Sequence, residues 1–261
     1  MTKKKATKQS DMVALGSRTA KGGFRNERDV INRFNKWKTN ETAREWLAAM
    51  SYKVSDIEYV KATKVRGHYK ADIQVRIRIV IKLKSQEDLR NLQVKLVSNP
   101  QGFNQIDKRW VDKYVELWNI SPDITKLLKS FTGEIKPKAS RKLKDNRRML
   151  LSEMSEEDQN KIVRFFEDNK ILIVADLLKG RGEFSADWML VILKVGKNAS
   201  WVLKSINEAM NILGGGDIRI TEKGSLKIGK ITMQRKGGDG GRDTAKMLQF
   251  KINPVELFKQ S

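Results

Sequence analysis

The spacing of hydrophobic residues along the chain changes between helical and strand periods, which predicts a mixed α/β protein. Val30, Phe34 and Trp37 recur at intervals of four and three residues, the stripe that a helix buries. From Asp72 to Lys82, apolar and polar residues alternate one by one, as in a strand with one buried face. Leu92–Val97 is predicted as a second strand, and the two strands are suited to a hairpin whose register the sequence leaves open.

The same periods, with breakers between them, predict the remaining elements. Further helices are expected at Glu41–Met50, Asn104–Trp118, Ile124–Phe131, Ser155–Asn169 and Trp201–Leu213. Further strands are expected at Trp188–Val195, Ile218–Ile220, Leu226–Ile228, Ile231–Gln234 and Met247–Ile252, with Lys84–Arg90 as a polar connection. Residues 1–14 are polar and Lys-rich, which predicts a disordered basic arm. No break in composition follows, so residues 15–261 are predicted to form one domain with a strand-rich C-terminal part.

The excess of positive charge favours a polyanionic partner. The chain has 53 Lys and Arg against 31 Asp and Glu among 261 residues, a formal charge of +22. Such charge repels itself in the folded state, and its usual benefit is attraction to a polyanion. The basic residues are spread from Lys3 to Lys259 and not confined to one amphipathic helix, so a nucleic acid is favoured over a membrane surface or an acidic protein.

The rare residue types exclude several kinds of chemistry. Cysteine is absent and His68 is the single histidine, which excludes disulfides, zinc fingers, thiol nucleophiles and sites with several imidazoles. No segment approaches the ~20 consecutive apolar residues that cross a bilayer, and no signal peptide is recognised. We expect a cytoplasmic protein whose chemistry depends on carboxylates, amides, Lys, Arg and metal ions.

Asp72 and the run Gln93-Val94-Lys95 form the constellation most suited to catalysis. Strand residues two apart face the same way, so Gln93 and Lys95 project together. Metal-assisted cleavage of phosphodiesters needs oxygen ligands, such as a carboxylate, an amide oxygen and a main-chain carbonyl, and a cation near the phosphate. The alternative, a solvated polar face, stays open. Glu27 opens the first helix and is either a second carboxylate for the site or an acid favoured there by the helix dipole.

Two segments combine side-chain donors with residues suited to DNA. Phe103 is flanked by glycine and amides, so it is either a wedge between base pairs or a local packing residue before a helix. Gln105 and Lys108 carry donors for base edges or phosphates. The glycine-rich segment Gln234–Asp243 joins long donors to a loop that can approach a groove closely.

Four stretches resemble the HinP-type family of type II restriction endonucleases, which cut at short GC-rich sites and belong to the PD-(D/E)xK nuclease fold. They are Leu15–Val30, Leu92–Lys108, Lys179–Trp188 and Met233–Ile252. The resemblance follows the same order over nearly the whole chain. Its most specific features are the Gln-x-Lys variant and the run Gly-Phe-Asn-Gln-Ile-Asp-Lys.

The resemblance implies a fold and a metal-dependent activity. The fold is a mixed central β-sheet flanked by α-helices, and the activity is double-strand cleavage with Mg²⁺, for which Mn²⁺ can substitute. Asp72, Gln93 and Lys95 would be the catalytic residues, and the metal would be held by Asp72, Gln93 and the Val94 carbonyl. Ala71 stands where the superfamily has proline, and Gln93 replaces the usual acid, which leaves fewer fixed negative charges.

The resemblance also implies how DNA is bound. The Gly-Phe-Asn-Gln segment would enter the DNA, and the C-terminal Gln-Arg-Lys–Gly loop would contact the major groove. The predicted DNA-binding residues are Phe103, Asn104, Gln105, Lys108, Arg181, Gln234, Arg235, Lys236 and Arg242. The predicted partner is double-stranded DNA with GC half-sites, as GCGC or an interrupted GCNGC-like sequence, without a membrane or a small-molecule substrate.

Two other functions stay open at this point. One is a sequence-tolerant DNA-binding protein that does not cut, and the other is a structure-specific repair nickase. The sequence does not decide between a monomer and a homodimer. The resemblance places the protein in a bacterial cytoplasm.

Overall fold

A computed structural model describes residues 25–67, 69–81, 84–137, 143–196, 198–238 and 241–259. The predicted disordered arm, residues 1–14, lies outside the described residues. Within those ranges, no helix is both long and apolar enough to span a bilayer.

Helices and strands alternate along the described chain. The helices are α1 (25–35), α2 (Glu41–Ala49), α3 (Val111–Trp118), α4 (Pro122–Thr132), α5 (Glu156–Asp168), α6 (Lys170–Leu178) and α7 (Ile206–Gly214). The strands are β1 (Ile57–Lys64), β2 (Ile73–Ile81), β3 (Lys84–Val97), β4 (Asn104–Arg109), β5 (Trp188–Val195), β6 (Asn198–Ser205), β7 (Ile218–Ile220), β8 (Leu226–Ile228), β9 (Ile231–Arg235) and β10 (Leu248–Ile252).

The strands form two five-stranded sheets, which belong to two compact units. Sheet 1 has the order β1-β2-β3-β5-β6, with a parallel pair at β3 and β5 and antiparallel pairs elsewhere. Sheet 2 has the order β4-β10-β9-β8-β7 and is antiparallel. The first unit holds the described residues up to Gly102 with Leu178–Met210 and 254–259, and the second unit holds Phe103–Leu177 and Asn211–Asn253. The predicted single domain over 15–261 stays a prediction.

In the first unit, one face of sheet 1 packs against α1 and α2. Ile73 and Leu92 lie opposite each other in β2 and β3, and both are fully buried in this core. Phe34 of α1 and Trp46 of α2 belong to the same cluster, with their ring centroids 5.2 Å apart. Asn40 caps α2 by accepting the Ala43 N–H, a favoured helix start. The opposite face of β2 and β3 carries Gln74, Asn91, Gln93 and Lys95 near the start of β2.

The second unit has an aromatic core between its helices and sheet 2. Tyr114 and Trp118 of α3 stack with ring centroids 4.6 Å apart, and both contact Phe250 of β10. Trp118 also donates its indole N–H to Asp176 at 2.9 Å. This core fixes β10, which lies between β4 and β9 in sheet 2.

Most predicted elements are confirmed, including the α/β class and the strand-rich C-terminal part. Helix α2, the helix after Ser155, strand β5 and the four C-terminal strands lie within a few residues of their predicted bounds. The suggested hairpin is also present, as nine antiparallel pairs from Ile73↔Leu92 to Ile81↔Lys84.

Three segments differ from their predictions because strand pairing determines their conformation. Lys84–Arg90 was predicted as a connection and is the first half of β3, where its backbone pairs with β2. Asn104–Arg109 was predicted as the first half of a helix and is β4, paired with β10. Residues 198–205 form β6 beside β5, so that the helix predicted from Trp201 begins only at Ile206. Strand β1 and helix α6 were not foreseen.

Candidate active site

Asp72 is held against β3 at the point where β2 begins. Its backbone N–H donates to the Leu92 carbonyl at 2.8 Å. Its carboxylate Oδ2 accepts the backbone N–H of Val94 at 2.7 Å. A carboxylate that accepts a main-chain N–H is held by a charge-assisted hydrogen bond, so its position is fixed by the strand itself.

The Val94 carbonyl faces the same side of β3 as the Asp72 carboxylate. In a strand, the N–H and C=O of one residue point to the same neighbour, and the next residue points to the other. On the β5 side, the Asn91 N–H donates to the Asp187 carboxylate and the Asn91 carbonyl accepts the Asp187 N–H. On the β2 side, the Leu92 carbonyl accepts the Asp72 N–H. By this alternation Val94 faces the β2 side, beyond the last pair of the β2–β3 hairpin at Ile73.

Gln93 and Lys95 lie on the face of β3 opposite the hydrophobic core. The Gln93 side chain is buried, with 2% of the residue exposed, and Lys95 is partly exposed. Among the described residues, no group donates to Gln93 Oε1. A buried acceptor without a donor costs free energy, so this oxygen is suited to an electropositive ligand. The structure thus holds the Asp72 carboxylate at the Val94 backbone, between Gln93 and Lys95 along β3.

The residues at this place fit a hard divalent cation. Carboxylate, amide and main-chain carbonyl oxygens are the ligand types that Mg²⁺ takes. Within the described ranges, no three His, Cys, Asp or Glu side chains gather into a metal-binding group. An ion bound here would therefore be held by the single charge of Asp72 and by the neutral oxygens of Gln93 and Val94.

Arg181 lies in a loop that packs beside the start of β2. The loop closes on itself through the Ala186 N–H, which donates to the Lys179 carbonyl at 2.8 Å. Gly180 has a φ of +78°, and a Cβ at this position would lie 2.4 Å from the Lys70 side chain. Only glycine fits this conformation and this close approach without strain. The loop therefore brings the exposed Arg181 near the segment that leads into Asp72.

Asn91 connects this loop to β3 and was not identified from the sequence. Its side-chain amide donates to the carbonyls of Glu183 and Ser185 at 2.9 and 3.0 Å. Its Oδ1 accepts the side-chain amide of Gln74 at 3.2 Å, and its backbone N–H donates to Asp187 at 2.8 Å. Asn91 lies two residues before Gln93 on the same face, which was the available sequence signal.

Glu27 forms an ion pair in the first unit. Its Oε2 lies 2.6 Å from Lys64 Nζ, at the end of β1 that pairs with Ile73. Oε2 is buried and, among the described residues, accepts no hydrogen bond, so the choice between a second carboxylate of the site and an acid favoured by the helix dipole stays a prediction.

In the second unit, Phe103 is exposed and precedes a strand. Half of the residue, 52%, is exposed, and the Lys227 ammonium lies 5.3 Å from the ring centroid. The alternative in which Phe103 packs locally before a helix is excluded, because Asn104–Arg109 is β4 and α3 begins at Val111. Asn104 is partly exposed at the start of β4, opposite Ile252.

A row of amide side chains crosses sheet 2. Gln249 of β10 donates to Gln105 of β4 at 2.6 Å and accepts from Gln234 of β9 at 3.5 Å. Lys108 of β4 lies opposite Gln249 and is exposed. Gln105, Lys108 and Gln234 were predicted from the sequence, whereas Gln249 was not, because its place beside them depends on the pairing of β4 with β10.

The other predicted DNA-binding residues lie at or near the β9–β10 connection. Arg235 is the last residue of β9, and the Lys236 N–H donates to the Met247 carbonyl at 2.9 Å. Arg242 is exposed and precedes a short 3-10 turn at Asp243–Lys246. The Arg235 side chain is 10% exposed, and its Nη1 lies 3.9 Å from Asp145.

The predicted site residues thus fall into two groups. The first unit holds the catalytic candidates and Arg181, and the second unit holds the other DNA-binding candidates.

A family model and a solved structure match this chain. The family model of the R.HinP1I restriction endonuclease matches residues 50–258. A crystal structure of restriction endonuclease MspI in complex with its cognate DNA has a similar fold, with a TM-score of 0.60 and 16% sequence identity. The match covers 87% of this chain and 87% of that chain. A search of curated protein sequences finds no significant match.

Proposed function

Because the chain belongs to the R.HinP1I restriction endonuclease family and is a type II site-specific deoxyribonuclease, we propose that it cuts double-stranded DNA with Mg²⁺ at a short GC-rich site. The family membership carries the reaction class. The proposal concerns the metal, the residues that hold it and the recognised sequence.

Asp72, Gln93 and Val94 are proposed to hold the metal. The oxygen of buried Gln93, which accepts no hydrogen bond among the described residues, supports this proposal most directly, and the Asp72 carboxylate is held at 2.7 Å from the backbone N–H of the next residue, Val94. A divalent ion at these oxygens supplies charge neutralisation at the phosphate and makes a nearby water more acidic. Mn²⁺, with similar ligand preferences, is proposed to substitute.

Lys95 is proposed to orient the attacking water and to stabilise charge on the phosphate. It lies two residues after Gln93 and faces the same way, so its ammonium and the Gln93 oxygen serve one substrate group. Arg181 adds a second cation from the loop that packs beside Lys70 and Ala71. Together these cations offset the negative charge that develops during phosphodiester hydrolysis.

The second unit is proposed to recognise the DNA. The exposed Phe103 ring is suited to insertion between base pairs, because burying its apolar surface there would be favourable. The amide row through Gln249 presents donors and acceptors of the kind that distinguish base edges. The matched MspI structure contains cognate DNA, which supports double-stranded DNA as the substrate here. We propose GC half-sites, as GCGC or GCNGC.

We expect the free protein to bind Mg²⁺ weakly. The proposed ligand set carries one negative charge, and oxygens of the scissile phosphate would complete the coordination. Calorimetry of the free protein should give a dissociation constant of about 10⁻³ M or weaker, in the range of weak oxygen sites. Micromolar Mg²⁺ binding without DNA would contradict this ligand set.

Digestion of a plasmid of known sequence tests the whole proposal. Wild type should give discrete fragments with Mg²⁺, whose mapped ends identify the site. Lys95→Ala should leave the plasmid intact yet retain it in low salt. Lys53→Ala is a matched control in the same unit. Lys53 is exposed, and its ammonium lies 3.4 Å from the Asp56 carboxylate. Cutting that follows DNA shape instead of sequence, or a fully active Lys95→Ala, would contradict the proposal.

A further inference from the structure

Three arginines of the second unit surround one carboxylate. Arg147 binds Asp145 with two hydrogen bonds, at 2.8 Å from Nε and 2.9 Å from Nη2. Arg148 Nε lies 3.5 Å from Asp145, and Arg235 Nη1 lies 3.9 Å from it. Asp145, Arg147 and Arg148 precede α5, whereas Arg235 ends β9, so the cluster joins two distant parts of the chain.

The cluster has buried donors without acceptors. Only 10% of the Arg235 side chain is exposed, and its Nε has no acceptor among the described residues. Burial, followed by the charges of Arg148 and Arg147, lowers the pKa of Arg235. Burial also lowers the pKa of Arg148, whose guanidinium lies over the Phe131 ring at 5.9 Å. Burying a guanidinium without a close counter-ion is unfavourable, so this arrangement needs a reason.

Among the described residues, one carboxylate contacts the three guanidinium groups. Asp145 is the carboxylate in contact with them, and Arg147 holds its pKa at about 2, well below its ordinary value. Glu153 also acts on Arg148, but its two oxygens accept the backbone N–H groups of Lys144 and Leu150 at 2.8 Å each. The surplus of donors and charge fits an anionic ligand.

We propose that Arg147, Arg148 and Arg235 form a binding site for one backbone phosphate of DNA, an inference that rests on the proposed function. Guanidinium groups match the geometry of phosphate oxygens through paired hydrogen bonds. The Arg147 side chain is 71% exposed, so it can turn from Asp145 to a phosphate. The less exposed Arg148 and Arg235 would add positive charge beside it. Asp145 holds Arg147 in the absence of DNA.

The location of the cluster favours DNA over a free anion. Arg235 directly follows Gln234, the β9 member of the amide row that we propose contacts bases. A phosphate bound at Arg235 would thus lie next to base pairs at the sheet. Phosphate contacts of this kind fix the register of a protein on the duplex and contribute affinity without sequence information.

The salt dependence of duplex binding tests this site. Affinity for a GCGC duplex and for a duplex without the site is measured between 50 and 200 mM salt, about the range over which phosphate contacts are lost, with no divalent ion present. Arg147→Ala should make the slope of log K against log salt less steep by about 0.9, and should weaken both duplexes by about eightfold at 0.1 M salt. Asp145→Asn should tighten binding, because the competing carboxylate charge is removed.

Arg164→Ala is the matched control. Arg164 is 84% exposed on α5 and lies 3.9 Å from Asp168, so its removal also takes one positive charge from the second unit. It should keep the wild-type slope, and circular dichroism should show all variants folded. Arg147→Ala with the wild-type slope would overturn the phosphate site.

A second arm separates DNA from free phosphate. Melting temperatures are compared in inorganic phosphate and in chloride at equal ionic strength. Stabilisation by phosphate that Arg147→Ala abolishes, together with unchanged duplex binding by that variant, would assign the cluster to a free anion and overturn the proposal. Duplex binding with the expected slopes but without Mg²⁺-dependent cutting would refute the proposed function and still support the phosphate site.

Discussion

Replacing Gln93 by Met should stabilise the protein and remove its activity. The Gln93 side chain is buried, and its Oε1 has no donor among the described residues. A buried acceptor in this state costs about 1–3 kcal/mol, and Met has nearly the same length with no such group. We therefore expect the free energy of unfolding to rise by about 1–2 kcal/mol, or the melting temperature by about 2–6 °C.

The assay compares melting temperature and plasmid cleavage for Gln93→Met and a matched glutamine. Gln74 lies on the same face of the neighbouring strand, but its amide donates to Asn91 at 3.2 Å. Gln74→Met therefore removes a satisfied hydrogen bond and should lower the melting temperature. Cleavage by Gln93→Met should fall by about a hundredfold or more, since an electrostatic contact to the reacting centre is lost.

The opposite pattern would refute this reasoning. A Gln93→Met protein that melts below wild type would mean that the Gln93 oxygen stabilises the fold by itself. A variant that cuts at the wild-type rate would mean that the oxygen has no part in catalysis. Gain of stability with loss of cleavage is the outcome expected when a polar group is retained for function.

Three further predictions follow from other contacts. Asp72→Ala should lower the free energy of unfolding by about 1–3 kcal/mol because the Val94 N–H loses its acceptor, whereas Asp72→Asn keeps an acceptor. Both variants should abolish cleavage, and equal melting temperatures of the two would count against this contact. Burial and a hydrogen bond to Asp88 raise the pKa of Tyr52 to about 12, so the unfolding free energy should fall as pH rises from about 10 to 12, and Tyr52→Phe should remove this slope in urea titrations. Phe103→Ala should weaken duplex binding by about fivefold or more without changing the melting temperature, and unchanged binding would exclude insertion of this ring.

The catalytic candidates were predictable because local rules determine their relation. The alternation of residues in two strands sets which side chains share a face, and a hairpin brings neighbouring strands together. The pattern therefore gives the shared face of Gln93 and Lys95, whereas the register that sets Asp72 beside Val94 was left open by the sequence. Helix α2 was likewise predicted from local spacing, and the structure shows Asn40 as its cap.

The missed features depend on pairings between distant segments. Asn91 bonds residues about 90 positions later, and that contact exists because β3 and β5 pair in parallel. Asn104–Arg109 has a helical spacing but becomes a strand beside β10, more than a hundred residues further along. Gln249 reaches Gln105, and Arg235 reaches Asp145, likewise only through the fold. A single sequence carries little information on such long-range partners.

In the hairpin of β2 and β3, the position of Asp72 relative to Val94 does not depend on how many residue pairs follow before the strands connect. Nine backbone pairs of β2 and β3 lie between Asp72 and Gln93. Deleting one pair, one residue from each strand, would shorten the connection and leave the carboxylate opposite the Val94 N–H. Deleting a residue from one strand alone would shift the register and turn a whole strand over. Homologues should therefore differ in this spacing mostly in steps of two, and a search with a fixed interval would overlook them.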